Sequence, residues 1–361
     1  MDRNTAVSFR IPPNRMTLGL LSAAFVLFGS GSEIASAQIR PPQSGFIWDA
    51  SLRAIRPVLG LPGAWGLGNA LDLGMPVLGA RFVSGKDFAL IVTDQNPTES
   101  DGNPIRIASV TGLGSGTIAV VPVVGALAAD LLALNDTGTA ALLYNRSERI
   151  VQWLQGLPNN PTVTRTISLS DFPGDVTVLA VNRSGDLSLI GLDSGDSGSL
   201  YRIPVDGDVR WVGNIRAASI VFAANDRDAF LTDSAAGSLM IAEDGQGLSL
   251  LAGSASGLEH PGALRIVAGT QLLIASTTAS SLTCFDIAHG MISQAALPLP
   301  MLQIEPFGTD SLFLLNQPGS GPIYVLDGSF AKDGGCEPVV LFIPPDQSPA
   351  DPSASTATTP Q

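Results

Sequence analysis

Histidine, cysteine and lysine are nearly absent from this chain of 361 residues: two of each, at His260 and His289, Cys284 and Cys336, Lys86 and Lys332. Two imidazoles exclude a metal site built from several histidines. The scarcity of lysine and a formal charge of −13 argue against nucleic acid or an anionic membrane surface as partner, because such a chain repels phosphate. No glycine-rich loop follows a strand and opens a helix, so nucleotide binding has no support. Gly195 to Ser199 holds a serine between glycines but lacks the Gly-x-Ser-x-Gly elbow, which leaves a serine hydrolase without its nucleophile. Beyond the first 40 residues no apolar run approaches the roughly 20 residues that span a bilayer.

What the chain does have begins with an export signal. Arg3, Arg10 and Arg15 precede an uncharged apolar core, Met16 to Phe28, and Ala35-Ser36-Ala37 before Gln38 is a small-x-small cleavage site. The expected organisation is a signal peptide over 1–37, a short linker over 38–45, a folded body over 46–345 and a tail over 346–361. Cleavage between Ala37 and Gln38 removes three arginines and two acids, so the remainder is more acidic still. The expected location is extracytoplasmic, periplasmic or secreted. The Pro/Ser/Thr-rich tail has no apolar period with which to offset its ordering entropy.

Seven hairpin-like runs start at positions 46, 105, 150, 200, 239, 282 and 323, at intervals of 59, 45, 50, 39, 43 and 41 residues. Six others interleave with them: 80–94, 130–145, 176–193, 219–234, 263–276 and 302–316. Each is a pair of short apolar strands broken by Gly, Asn or Asp, the chemistry of a β-hairpin. Two hairpins per unit at about 40–45 residues describe four-stranded propeller blades. The reading is therefore all-β, a β-propeller of six to seven four-stranded blades, with seven preferred and the first reduced. Seven second-half hairpins meet only six first-half ones, so the hairpin at Phe46 lacks a preceding pair. Residues 66–77 are expected to add strand or loop there.

The segment 258–290 resembles an NHL repeat, with Pro261 leading the first strand, Phe285-Asp286 ending the third and Gly290 in the turn. Residues 219–247 follow the same outline less closely. Trp48-Asp49 is similar to the dipeptide of WD repeats, although the Gly-His of that family is missing. The resemblance is thus to NHL- and WD-type propellers of the bacterial extracytoplasmic kind, and it implies a fold more than a function.

Site residues are few. Cys284 and Cys336 suit a disulfide between neighbouring blades in an oxidising compartment, or else a buried Cys284 with a free Cys336. His260 and Glu259, with Asp72, Asp130, Asp171 and Asp175 in comparable connections, are candidates for an acidic funnel. A lactonase-like enzyme would use such carboxylates for a divalent cation. Solvated loop residues are the plainer reading, as a turn residue is for His289. The loops 93–103 and 193–198 lack the twelve-residue spacing of an EF-hand. Three sequons, at Asn135, Asn145 and Asn182, matter only in a eukaryotic secretory pathway. The function expected is a non-enzymatic binding or scaffold propeller without cofactor, whose partner is a protein or small molecule; the alternative is a cation-dependent hydrolase or lyase.

Overall fold

Seven antiparallel sheets follow one another along the chain in the computed structural model, which describes residues 42–94, 106–297, 303–319, 321–329 and 336–345. The expected leader and tail, and most of the loop 93–103, lie outside the described residues. The first sheet has three strands, β1 (Gln43–Asp49), β2 (Ala54–Leu59) and β3 (Gly66–Leu67). β1 starts inside the expected linker, and β3 comes from the 66–77 segment.

The other six sheets have four strands each. The second is β4 (Val77–Phe82), β5 (Phe88–Thr93), β6 (Ile107–Thr111) and β7 (Ala119–Pro122); the third is β8 (Leu131–Leu134), β9 (Ala140–Asn145), β10 (Ile150–Gln155) and β11 (Thr162–Ser168). The fourth is β12 (Asp175–Val181), β13 (Leu187–Asp193), β14 (Gly198–Pro204) and β15 (Arg210–Gly213). The fifth is β16 (Ala217–Phe222), β17 (Ala229–Asp233), β18 (Ser238–Glu243) and β19 (Gly247–Ala252). The sixth is β20 (Pro261–Val267), β21 (Gln271–Ser276), β22 (Ser281–Asp286) and β23 (Ile292–Ala296). The seventh is β24 (Glu305–Phe307), β25 (Thr309–Leu314), β26 (Ile323–Asp327) and β27 (Val339–Ile343). The locally helix-prone 126–136 supplies a strand, β8.

These segments are strands because both faces of each middle strand are buried, which calls for short continuous apolar runs. In β9 all six residues are buried. Ala141 and Leu143 pack with Leu90, Ile107 and Leu154 of one inter-sheet core, while Leu142 and Tyr144 pack with Trp153, Ile190 and Leu192 of the next. Outer strands instead alternate, as in β11, where every second residue is exposed. The described residues form seven apolar cores, one at each junction between neighbouring sheets, the last joining the seventh sheet to the first through Ile47, Val58, Trp65, Phe307 and Ile343. The ring is closed by packing. Trp65 meets Phe307 edge-on at 5.9 Å, and Phe46 stacks with Phe82 at 6.4 Å.

The first sheet explains why the count is ambiguous. The start of β1, Gln43 to Phe46, shares a cavity wall with Phe82 to Asp87 after β4 and with Pro306 and Gly308 at the end of β24. β1 therefore runs against the innermost strands, in the sense of a second strand. Its end carries the cap of the other second strands. The Asp49 carboxylate accepts from the Ser51 and Leu52 N–H groups, as Asn145 accepts from Glu148, Asp193 from Gly195 and Asp233 from Ala236. Among the described residues there are thus seven sheets but six innermost strands. The hairpin at Phe46, expected as third and fourth strands, is corrected to second and third. Both strand types are buried apolar runs, and third strands can end on the same cap, as at Asp286 and Asp327; the turn after β2 phases the hairpin, since Gly60 stands against the Ala64 carbonyl as Gly156 after β10 stands against that of Asn160.

At the turns between first and second strands the inner ring joins directly across the missing position. The Gly85 N–H donates to the Gly308 carbonyl at 2.7 Å, linking the second sheet to the seventh. The third and fourth sheets are linked in the same way by Asn135 Nδ2 to the Arg183 carbonyl at 2.9 Å, and the fourth and fifth by Asn182 Nδ2 to the Asp226 carbonyl at 3.1 Å. Gly308 has φ 63°, and a Cβ there would overlap the Ser44 carbonyl, so the closure requires glycine.

Candidate functional site in the central channel

Innermost strands line the channel of a ring of blades, so a charged residue on one of them faces its neighbours around the axis. Three such residues lie close to the first-to-second-strand turns: Arg81 on β4, Arg265 on β20 and Glu305 on β24. Arg81 and Glu305 form an ion pair at 3.1 Å, bridging the sheets whose turns meet at Gly85 and Gly308. Arg265 is partly buried and donates to the Leu264 carbonyl at 2.9 Å. Burial holds its guanidinium below the ordinary arginine value; attraction to Glu305, and less to Asp136, opposes the shift, and Arg81 adds to it. Arg81 and Arg265 here stand against Glu305 at contact distance and Asp136 farther off, so two guanidinium groups meet within an acidic protein.

Two cavities, of about 300 and 410 Å³, are bordered by Lys86 and Asp87 in the turn after β4, and the first reaches Phe82 and Pro306, next in sequence to Arg81 and Glu305. The first lies at the ring closure, with Ser44, Phe46 and Gly308 on its walls. The second lies between the second and third sheets, beside Thr137, Thr139 and Asn159. Asp87 accepts a hydrogen bond from the Gly114 N–H, which fixes the carboxylate against the backbone.

The sequence-derived candidates sit elsewhere. Asp130, Asp171, Glu259 and His260 lie exposed in the connections that enter β8, β12 and β20. The Asp130 carboxylate accepts from the Arg146 N–H at 2.6 Å, and Asp72 accepts from the Gly74 N–H at 2.9 Å, so both act as turn acceptors. Asp171 lies 3.5 Å from the Ser170 hydroxyl. Asp175 begins β12, opposite Asp193. The His260 carbonyl accepts from the Thr277 N–H at 2.9 Å, and its φ of 41° places it in the left-handed region. Among the described residues no three His, Cys, Asp or Glu side chains come close enough to hold a metal ion. Asp130, Asp171, Glu259 and His260 thus do not form a close metal-binding cluster among the described residues.

His289 closes a turn, its Nδ1 lying 2.8 Å from Asp286, whose carboxyl is held below its usual range by that contact and by two backbone N–H groups. The sequon asparagines are structural: Asn135, Asn145 and Asn182 are buried, with their amide nitrogens donating to the carbonyls of Arg183, Ala128 and Asp226. Cys284 and Cys336 are bonded, with Cα atoms 5.9 Å apart, tying β22 to the segment that leads into β27. Sequence reasoning passed over Arg81, Arg265 and Glu305. The one local signal was a single charge inside an apolar innermost strand, as in Ala263-Leu264-Arg265-Ile266-Val267.

No protein family matches the chain, and no curated protein matches it by sequence. Solved structures do match. A putative 6-phosphogluconolactonase from Bacteroides fragilis is 11% identical with a TM-score of 0.56, over 84% of this chain and 94% of that one. The propeller domain of Cps50 (Swd1) from Myceliophteria thermophila is 13% identical with a TM-score of 0.54, over 76% and 87%. The fold is a seven-bladed β-propeller. A catalytically inactive virginiamycin B lyase from Staphylococcus aureus, solved with quinupristin, is 11% identical with a TM-score of 0.52, over 75% and 85%. At these identities the propellers share architecture with this one, and each site must be read from its own residues. No helix among the described residues is long and apolar enough to cross a membrane.

Proposed function

We propose that this propeller is an exported, non-enzymatic binding module of NHL- or WD-like type, whose recognition surface is the channel end bearing Arg81, Arg265 and the two cavities beside Lys86. One observation carries the reading: the channel carboxylate, Glu305, is paired with Arg81 at 3.1 Å and lies in the field of Arg265. A cation-dependent hydrolase or lyase needs carboxylates free to surround the ion, whereas these arginines repel it. The rigid ring of seven inter-blade cores holds the turns in fixed relation, which suits recognition by a preformed surface.

The purified protein, assayed against a panel of lactones with calcium, magnesium or manganese, is expected to show no turnover above buffer. Asp130→Ala, Glu259→Ala and His260→Ala are expected to leave that result unchanged. Cation-dependent turnover lost in those variants overturns the reading. Export rests on the basic leader, the apolar core and the Ala35-Ser36-Ala37 site. N-terminal sequencing of the extracytoplasmic protein is expected to begin at Gln38, and a cytoplasmic product retaining Met1 contradicts it.

A further inference from the structure

Arg265 carries a charge that no anion among the described residues meets at contact distance. A guanidinium has five N–H donors. Among the described residues, that of Arg265 makes one hydrogen bond, to the Leu264 carbonyl, and no ion pair. It projects from β20, where Leu264 and Ile266 enter one inter-blade core while Ala263 and Val267 enter the next. The strand carrying it is therefore set between two apolar cores, and Arg265 itself stays partly exposed. The carboxylate whose field it feels most, Glu305, is already engaged by Arg81. A partly buried, unpaired cation is costly unless an anion joins it, and a guanidinium fork matches the two oxygens of a carboxylate.

We propose that the channel binds a small organic carboxylate at Arg265, with Arg81 sharing the field. With Arg81 paired to Glu305 and Asp136 acting on Arg265 only from beyond contact distance, the free position at Arg265 calls for one negative charge. A phosphate dianion overshoots that balance and meets the Glu305 carboxylate. The proposal rests on the binding reading above and names its ligand class.

The test is a titration of carboxyl-labelled ¹³C-acetate into the purified protein at constant ionic strength, read by NMR linewidth. Saturable broadening is expected in the wild type, with loss in Arg265→Gln and partial retention in Arg265→Lys. Glu305→Gln removes the competing carboxylate and frees Arg81, so it is expected to tighten binding several-fold. A merely structural role for Glu305 does not produce that gain. Arg210→Gln, exposed on the outer strand β15 and away from the channel, is expected to bind as the wild type does. Absence of saturation in the wild type overturns the proposal. So does equal binding by Arg265→Gln that melts at the wild-type temperature, weaker binding by Glu305→Gln, or displacement by inorganic phosphate at lower concentration than by unlabelled acetate. The two readings fail separately. No acetate response removes the carboxylate site and leaves a protein-binding ring standing. Cation-dependent turnover removes the binding reading without altering the acetate result.

Discussion

Replacing both members of the Cys284–Cys336 bridge by alanine tests how far the ring depends on a covalent tie between its sixth and seventh blades. The cysteines are 52 residues apart in sequence. In the chain-entropy treatment a loop of that length removes about 4 kcal/mol of disorder from the unfolded state at 25 °C. Cys284 is also buried in the core shared by the two blades, beside Leu282, Leu297 and Leu326, so truncating its sulfur adds about 1 kcal/mol of lost packing. With an unfolding entropy near 2.1 cal/mol/K per residue over roughly 300 residues, the summed loss of about 5 kcal/mol corresponds to a melting shift of about 8 °C, of which the cross-link alone supplies about 6 °C. The assay is thermal unfolding followed by tryptophan fluorescence, comparing wild type with Cys284→Ala/Cys336→Ala under oxidising conditions. A fall of that size, with the larger part of it reproduced by incubating the wild type with reductant while unfolded, supports the account. A shift below about 1 °C, or two free thiols found by mass spectrometry in the native protein, refutes it.

Asn182→Ala is expected to cost on the order of 3 kcal/mol in urea unfolding, because the buried amide accepts from the Asp186 and Leu187 N–H groups and donates to the Asp226 carbonyl; a loss below 0.5 kcal/mol contradicts the turn-to-turn link. Gly308→Ala places a side chain at φ 63° against the Ser44 carbonyl. It is expected to cost about 1–2 kcal/mol and to speed hydrogen exchange at the Gly85 amide, whereas an unchanged exchange rate counts against the direct closure of the inner ring. The Asp49–Arg56 pair, at 3.3 Å with both side chains buried, is expected to lose about 3–5 kcal/mol when either partner alone becomes alanine. Burial pushes the Asp49 carboxyl up, but the Ser51 hydroxyl, the Leu52 N–H, Arg56 and the Ser51 N–H together hold it below its usual range. A folded-state value below the unfolded one contributes stability that is present above about pH 4 and disappears as pH falls through the folded value. Melting curves of wild type and Asp49→Asn are therefore expected to converge on acidification, and parallel curves exclude the link.

The blade architecture was legible because each blade repeats the same problem: two buried middle strands, short turns and a return to the axis. That leaves apolar runs such as Ala140 to Asn145 at regular spacing, punctuated by Gly, Asn and Asp. The six complete blades could be paired hairpin by hairpin on that signal. The first could not be phased by it, since β1 and a third strand share the same pattern of burial. The local mark that separates them is the turn after β2, where Gly60 has a positive φ of 104° as Gly112 and Gly156 do after β6 and β10, the third strands of later blades. The channel was not legible in this way. Arg81, Arg265 and Glu305 are far apart along the chain and belong to three blades, so only ring closure brings their charges together. Conversely, acidic connections such as those at Asp72 and Asp130 looked like ligands because turn acceptors and metal ligands draw on the same residue types.

The most direct test of the central claim, that the channel is a recognition surface built on arginines rather than a cation cage, is calorimetric titration of calcium and manganese into protein dialysed against chelator. The arrangement of Arg81, Arg265 and Glu305 predicts no saturable heat for either ion, and none for Glu305→Gln. Stoichiometric binding that disappears in Glu305→Gln or Glu259→Gln contradicts it.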